Sequence, residues 1–300
     1  MNHIFLKAYG KINLTLDVLG KRADGYHELK TVMQSIQLHD TLFIKKIPEK
    51  EIKIICNYQR LHTDARNLVY QAADMLINRY ALAGGIFMEL NKGIPLSAGL
   101  AGGSTDCAAA LLGMRAIFDL PISDGELLEM GKSLGADVPF CLSGGTALAC
   151  GIGDQLTVLP DHPPTVLVLA KPRIQVSTAN VFSHFEIGTV TARPDLDRML
   201  TAIHHQNLPD ITANYGNVLE QTTTTLHPVI ADIKAHLLDQ GAIGALMSGS
   251  GPTVFACFHH KAAAVKAMKS LKRLPALCTC EVILTYTQRA DWSPRVILPS

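Results

Sequence analysis

The sequence predicts an α+β protein of two domains, and three observations carry that reading. Runs of alternating apolar and polar residues open the chain, strands and amphipathic helices alternate in its second half, and a proline-rich stretch separates the two. With 300 residues, 48% of them apolar and 18% charged, the chain can fill more than one core.

Residues 12–18 are the clearest strand. Ile12, Leu14, Leu16 and Val18 alternate with Lys11, Asn13, Thr15 and Asp17, which leaves one apolar face to bury and one polar face for chemistry. Gly20 and Asp24-Gly25 mark turns, and residues 31–38, 41–46 and 51–56 read as further strands of an antiparallel region. Residues 67–80 place Leu68, Ala72, Met75 and Leu76 at helical spacing, and residues 85–90 form a strand that runs into a glycine-rich loop. After that loop, Ser104 or Thr105 is expected to cap a helix. Asp106 suits its positive first turn, residues 108–118 continue it and Pro121 ends it. Ser123-Asp124-Gly125-Glu126 is a capping box that opens another helix, Gly135 ends it, and Ala136-Asp137-Val138-Pro139 reads as a short loop. Residues 155–164, with prolines at 160, 163 and 164, are the expected boundary, giving an N-terminal domain 1–160 and a C-terminal domain 161–300. Beyond it, residues 165–170, 253–258 and 282–287 read as strands and residues 228–240 and 262–274 as helices, an α/β sandwich.

Basic and acidic residues nearly cancel, 27 against 26, and are interspersed. The chain therefore lacks the field that gathers nucleic acid or an anionic membrane, and a small molecule is the expected partner. The seven cysteines are scattered, and Cys278 and Cys280 lie too close along an expected strand to pair with each other, so reduced thiols are expected. No basic stretch leads into an apolar run at the start, and no window approaches the roughly 18 apolar residues of a membrane span. A soluble, cytoplasmic protein is the expectation.

The strongest local signal for chemistry is Pro95-Leu96-Ser97-Ala98-Gly99-Leu100-Ala101-Gly102-Gly103-Ser104-Thr105, a loop of small residues running straight into an alanine-rich helix. Its glycines allow close backbone approach, and the unpaired N–H groups and dipole of the helix start supply donors for an anion, so the loop is expected to cradle phosphate. An ordinary strand-to-helix turn needs one glycine, not three. Gly125 to Ser133 nearly spells a Walker loop, but five residues separate Gly125 from Gly131, and Gly131-Lys132-Ser133 falls inside a predicted helix whose N–H groups are occupied. A Rossmann fingerprint, H-E-x-x-H and zinc-type C-x-x-C pairs are missing. Asp137 is a carboxylate between a helix end and a proline, a candidate general base whose bland alternative is a local turn or cap. Lys11, on the polar face of the first strand, is otherwise a solvated lysine. With the loop they suit phosphoryl transfer, which needs a positioned hydroxyl, a carboxylate for its proton and positive charge against the phosphoryl oxygens. Met247-Ser248-Gly249-Ser250-Gly251-Pro252-Thr253 is a second glycine-rich loop, a helix-to-strand connection or a surface packed against a ligand or another loop.

Five stretches together resemble the galactokinase, homoserine kinase, mevalonate kinase and phosphomevalonate kinase (GHMP) superfamily in order and spacing. They are Ala8-Tyr9-Gly10-Lys11-Ile12-Asn13-Leu14, Arg22-Ala23-Asp24-Gly25-Tyr26-His27, the loop from Pro95 to Ala110, Gly135-Ala136-Asp137-Val138-Pro139-Phe140 and the stretch from Ser248 to Phe255. The second and fourth resemble the diphosphocytidyl-methylerythritol kinases in particular. The resemblance implies the two-domain GHMP fold, with an N-terminal domain like the second domain of ribosomal protein S5 and a ferredoxin-like C-terminal sandwich. It implies an ATP-dependent, Mg²⁺-assisted kinase acting on the 2-hydroxyl of 4-diphosphocytidyl-2-C-methyl-D-erythritol in the non-mevalonate route to isoprenoid precursors. By the same resemblance Lys11 and Asp137 are catalytic, and Pro95 to Thr105 hold the ATP phosphates, with Ser104 nearest them or the metal. Asn67 and Lys92 match positions near the adenine. Tyr26, His27 and Phe182 match the cytosine pocket, where aromatic faces stack on a base. Asn13 and Thr178 face the erythritol and phosphate parts. Ser97, Ala98 and Ala101 stand where some relatives have glycine, and no acidic residue besides Asp137 announces itself as a metal ligand. Another GHMP kinase, a nucleotide-binding regulator that transfers nothing and an RNA-binding module are the rival readings; the Tyr26-His27 pair, the Lys11 and Asp137 pair and the near-neutral charge respectively speak against them.

Overall fold

Alternation drives the first element well past the expected seven residues. In the computed structural model, which describes residues 2–274, 277 and 280–287, β1 runs over His3–Lys21 and pairs antiparallel with β2, His27–Ile47. The segments 31–38 and 41–46 are thus parts of one strand. The ladder runs through residues 39 and 40, paired with Tyr9 and Ala8, and is irregular between Tyr9 and Lys11, Asn13 and Thr15, and Val18 and Gly20, which re-aims side chains without ending the strand. The polar side of β1 is also buried: Lys11, Asn13 and Thr15 are all under 5% exposed.

Next come β3 (Ile52–Cys56), α1 (Leu68–Arg79) and β4 (Gly85–Asn91). β3 lies parallel to β4, so the opening sheet is mixed where a purely antiparallel one was expected. α2 (Gly102–Phe118), α3 (Asp124–Leu134) and α4 (Val138–Ser143) follow, then β5 (Thr146–Gly151) and β6 (Gln155–Val158). The Ser123–Glu126 capping box forms as expected. Residues 136–139, expected as a loop, instead lead directly into α4, because Pro139 sits in its first turn, where a missing N–H costs nothing. Helices α1 to α4 cover one face of the sheet, with Val69, Ala72, Leu76, Ala108, Leu111 and Met114 against Leu6, Ile44, Ile86 and Met88. α2 lies so close that a Cβ on Gly113 would stand 2.4 Å from Ile44 Cδ1.

The chain then enters a second sheet at β7 (Val166–Lys171) and continues through α5 (Thr178–His184), α6 (Leu196–His204), α7 (Leu208–Ala213), β8 (Gly216–Asn217), α8 (Val218–Leu226), α9 (Val229–Asp239), β9 (Gly244–Met247), β10 (Val254–Phe258), α10 (Lys261–Leu271) and β11 (Glu281–Tyr286). The order β11-β7-β10-β9, antiparallel throughout, is that of a ferredoxin-like sheet, and β8 returns to pair with β1 in the first sheet. Ile12, Leu14, Val32 and Ile36 pack on Leu167, Leu169, Leu246 and Phe255, so an apolar core joins the two sheets. Cys56, Cys107, Cys141, Cys150 and Cys257 are free thiols, and Cys278 lies outside the described residues. Among the described residues no helix is long and apolar enough to cross a membrane.

Candidate active site

A cavity of about 900 Å³ lies where β1, the loop before α2, the start of α4, α5 and the loop after β9 converge. The loop owes its shape to three residues in the left-handed region, Ser97 (φ 50°), Gly99 (φ 72°) and Ala101 (φ 58°). Ala101 is the N-cap of α2, and no side chain caps the helix. Neither Ser104 nor Thr105 does the capping that was expected. Helix α2 starts earlier, at Gly102, so both lie inside its first turns, and Thr105 is buried and donates its hydroxyl to the Tyr9 carbonyl at 2.8 Å. The first intrahelical bond of this turn is Thr105 N–H to Ala101 O, so the amides of Gly102, Gly103 and Ser104 precede it at the cavity wall, as an anion site requires.

Lys11 enters from β1. Its ammonium donates to Asn13 Oδ1 at 2.8 Å, lies 3.5 Å from the Gly99 carbonyl and 3.5 Å from Asp137 Oδ2. Asn13 in turn donates to Thr31 Oγ1 at 2.8 Å, which fixes the amide so that its oxygen faces Lys11. Asp137 is the N-cap of α4 but makes no side-chain cap bond, and its carboxylate, one-third exposed, is left to Lys11 and the cavity. The second glycine loop closes the far side: Ser248 Oγ donates to the Gly99 carbonyl at 2.9 Å, and Asn217 Nδ2 holds the Met247 and Gly249 carbonyls at 2.9 and 2.8 Å.

At the other end His27 and Phe182 stack, ring centroids 4.7 Å apart and tilted by 27°, and Tyr26 stands 61% exposed on the rim. Burial, with a smaller contribution from Lys21, holds the His27 imidazole below its ordinary pKa, favouring the neutral ring. Thr178 lines the same wall, its hydroxyl 2.8 Å from that of Ser250.

The cavity wall thus gathers Lys11, Asn13, Tyr26, His27, residues 95–104, Asp137, Thr178 and Phe182. Asn67, Lys92 and Thr105 are not on it. Asn67 caps α1, accepting from Val69 N–H at 2.9 Å and donating to the His62 carbonyl at 2.6 Å, and Lys92 is ion-paired beneath the loop with Asp40 and Asp106. Ser250 comes from the second glycine-rich loop, whereas Lys21, also on the wall, carried no sequence signal. Lys21 is an exposed lysine at the end of a strand, and only the pairing of Lys21 with His27 brings its charge beside the stacked rings.

The GHMP kinases N terminal domain matches residues 67–145 and the GHMP kinases C terminal domain residues 193–276. With the mixed and ferredoxin-like sheets and the uncapped loop, they define an ATP-dependent kinase of the GHMP class. Similarity extends further, to the 4-diphosphocytidyl-2-C-methyl-D-erythritol kinases of Caldicellulosiruptor saccharolyticus, 45% identical over 95% of this chain and 97% of the relative, and of Acetivibrio thermocellus, 45% identical over 91% and 96%. A crystal structure of 4-(cytidine 5'-diphospho)-2C-methyl-D-erythritol kinase superposes with a TM-score of 0.80 at 30% identity, covering 94% of this chain and 98% of that one. Homoserine kinase from Cytophaga hutchinsonii shares the fold, TM-score 0.78 at 19% identity over 99% of this chain and 98% of its own. The chain belongs to the 4-diphosphocytidyl-2-C-methyl-D-erythritol kinase family.

Proposed function

We propose that this kinase transfers the γ-phosphoryl group of ATP to the 2-hydroxyl of 4-diphosphocytidyl-2-C-methyl-D-erythritol, a step of the non-mevalonate route to isoprenoid precursors. One observation carries the proposal: the uncapped start of α2, the Lys11–Asp137 pair and the His27–Phe182 stack share one cavity, in a chain of this family. In this reading the acceptor oxygen attacks the γ-phosphorus, the bond from that phosphorus to the β,γ-bridging oxygen breaks, ADP leaves with the electron pair, and the hydroxyl proton passes to Asp137. Lys11, fixed by Asn13, offsets charge on the transferring group, and the amides at the start of α2 hold the phosphates. The aromatic faces of His27 and Phe182, with Tyr26 at the rim, take the cytosine, and Asn13 and Thr178 border the erythritol and its phosphates.

Ser104 offers an oxygen at the wall, which fits a Mg²⁺ held mainly by phosphates and water. Such an ion neutralises phosphate charge when bound. We assign residues 1–160 to nucleotide binding and 161–300 to the second domain, and place the enzyme in the cytoplasm, where free thiols stay reduced.

A coupled ADP-release assay with ATP and Mg²⁺ tests the proposal, with the cytidyl acceptor run beside homoserine, mevalonate and galactose. Turnover on the cytidyl acceptor alone is expected. Turnover on another acceptor overturns the substrate, and ATP binding with no turnover on any overturns the reaction.

A further inference from the structure

The phosphate loop keeps two non-glycine residues, Ser97 and Ala101, in the left-handed region, and such residues persist only where their surroundings hold them. Ile94, Ala98 and Leu100 seat the loop in the apolar core, and the stems on either side of it are joined by ion pairs. Asp40, fully buried on β2, accepts from the Gly93 and Ile94 amides at 2.6 and 2.7 Å with one oxygen and pairs with the Lys92 ammonium through the other. Lys92 reaches across to Asp106 Oδ2 on α2 at 2.5 Å. Residues 92–94 enter the loop and Asp106 lies just past its end, so the ammonium ties the loop's two stems together. Gly102, the first residue of α2, rests on this tie: a Cβ there would stand 3.3 Å from Lys92 Nζ and 3.3 Å from Ile94 Cγ2.

We infer that Asp40, Lys92 and Asp106 form a clasp that sets the phosphate loop for ATP, with Lys92 and Asp106 acting as positioning residues through the backbone, not by touching the base. Three features support a positional role over a purely stabilising one. A buried ammonium with two carboxylates is a costly way to fill a core that apolar side chains could fill. Its second carboxylate is half used, since Asp106 Oδ1 is buried without a partner. Burial pushes the Asp106 carboxyl well up despite the opposing pull of Lys92, while Lys92, which burial alone would push down, is held up by Asp106 and Asp40. The clasp persists against that cost where the loop's stems meet.

The inference rests on the loop holding the ATP phosphates, so the test reads nucleotide binding separately from transfer. Equilibrium titration with ATP and with GTP, and KM for ATP and for the cytidyl acceptor, are measured on the full chain as wild type, Lys92→Met, Asp106→Ala and Asp106→Asn. The first two variants are expected to weaken ATP and GTP about equally, tenfold or more, with the acceptor KM within twofold. Asp106→Asn keeps an acceptor for Lys92 and should return ATP affinity to within threefold of wild type. Unchanged ATP affinity in a folded variant overturns the clasp. An altered ATP-to-GTP preference assigns Lys92 to the base instead, and KM values for both substrates worsening together with thermal stability make the role merely structural. If the single variants do not fold, Lys92→Met/Asp106→Ala removes the charge pair at once and must show the same split; failure of that variant to fold also overturns the proposal. Wild type that binds ATP but does not turn over refutes the proposed function while leaving the clasp testable by titration; wild type that does not bind ATP refutes the phosphate role of the loop.

Discussion

Gly99 is where the two glycine loops touch, and replacing it with alanine tests whether their contact sets activity. Its φ of +72° already lies where an L side chain costs about 1–2 kcal/mol. Its Cβ would stand 2.3 Å from the Ser248 carbonyl oxygen and 3.0 Å from that of Gly251, both backbone atoms. The first distance falls about 1.1 Å short of ordinary contact, so one loop has to retreat by that much. Retreat breaks the bond from Ser248 Oγ to the Gly99 carbonyl and moves the oxygen that lies 3.5 Å from Lys11 Nζ. A misplacement of about 1 Å costs on the order of 10²-fold, or about 2.7 kcal/mol of transition-state stabilisation. Gly99→Ala is therefore expected to lower kcat/KM about a hundredfold in the coupled assay, with Tm down by roughly 2–6 °C. Gly125→Ala is the control: nothing stands within 4 Å of its Cβ, and the position is an exposed one near the start of α3. If Gly99→Ala stayed within threefold of wild type, the argument from loop contact to activity would be wrong.

Asp137→Asn, equal in shape but uncharged, should lower kcat by about 10² to 10⁴-fold with ATP affinity unmoved, as titration beside single-turnover kinetics would show. Phe182→Ala removes half of the stack with His27; stacking on a base is worth about 1–3 kcal/mol, so the acceptor KM should rise roughly 5- to 150-fold while the ATP KM holds. Lys21→Met takes an exposed cation from the wall beside that stack and should raise the acceptor KM about two- to fivefold at low salt, an effect that salt then erases. His162 is buried, donates Nδ1–H to the Pro163 carbonyl at 2.7 Å and leaves Nε2 unpartnered, and burial holds its pKa below 6.5. The unfolded chain thus takes up a proton near pH 6.5 that the folded chain resists, so stability is lost as pH falls below 6.5 and none is lost above it. Melting curves from pH 7.5 to 5.5 should fall less steeply for His162→Asn than for wild type.

Much of the fold was legible because it rests on local rules. Period two marked β1, the Ser123–Glu126 box marked the start of α3, and the helix that encloses Gly131-Lys132-Ser133 forms between that box and Gly135 as expected, with Lys132 engaged by Asp154. The errors fall where a longer-range partner overrides the local signal. Strand β2 continues through residues 39–40 because β1 pairs along it there, Tyr9 with His39 and Ala8 with Asp40, not because of its own alternation. Thr105 and Ser104 look like caps in sequence, but Ala101 in the left-handed region starts the helix early and so leaves its amides uncapped. That departure from ordinary capping leaves the donors on which the proposed phosphate site rests.

The same distinction explains which site residues a sequence can show. Lys11 and Asp137 lie 126 positions apart, and nothing local says that their side chains meet at 3.5 Å; the meeting follows from α2 packing on β1 and α4 packing on both. Their motifs could be recognised, but their geometry comes from the core. Lys92 is the harder case, because the same residue type suits a ligand contact or a structural ion pair, and only Asp40 and Asp106, 52 and 14 residues away, decide between them. A charge next to a phosphate loop is therefore best interpreted by what already neutralises it. By that criterion Lys21, exposed on the cavity wall, is available to a substrate anion, and Lys92, enclosed by two carboxylates, acts on the loop.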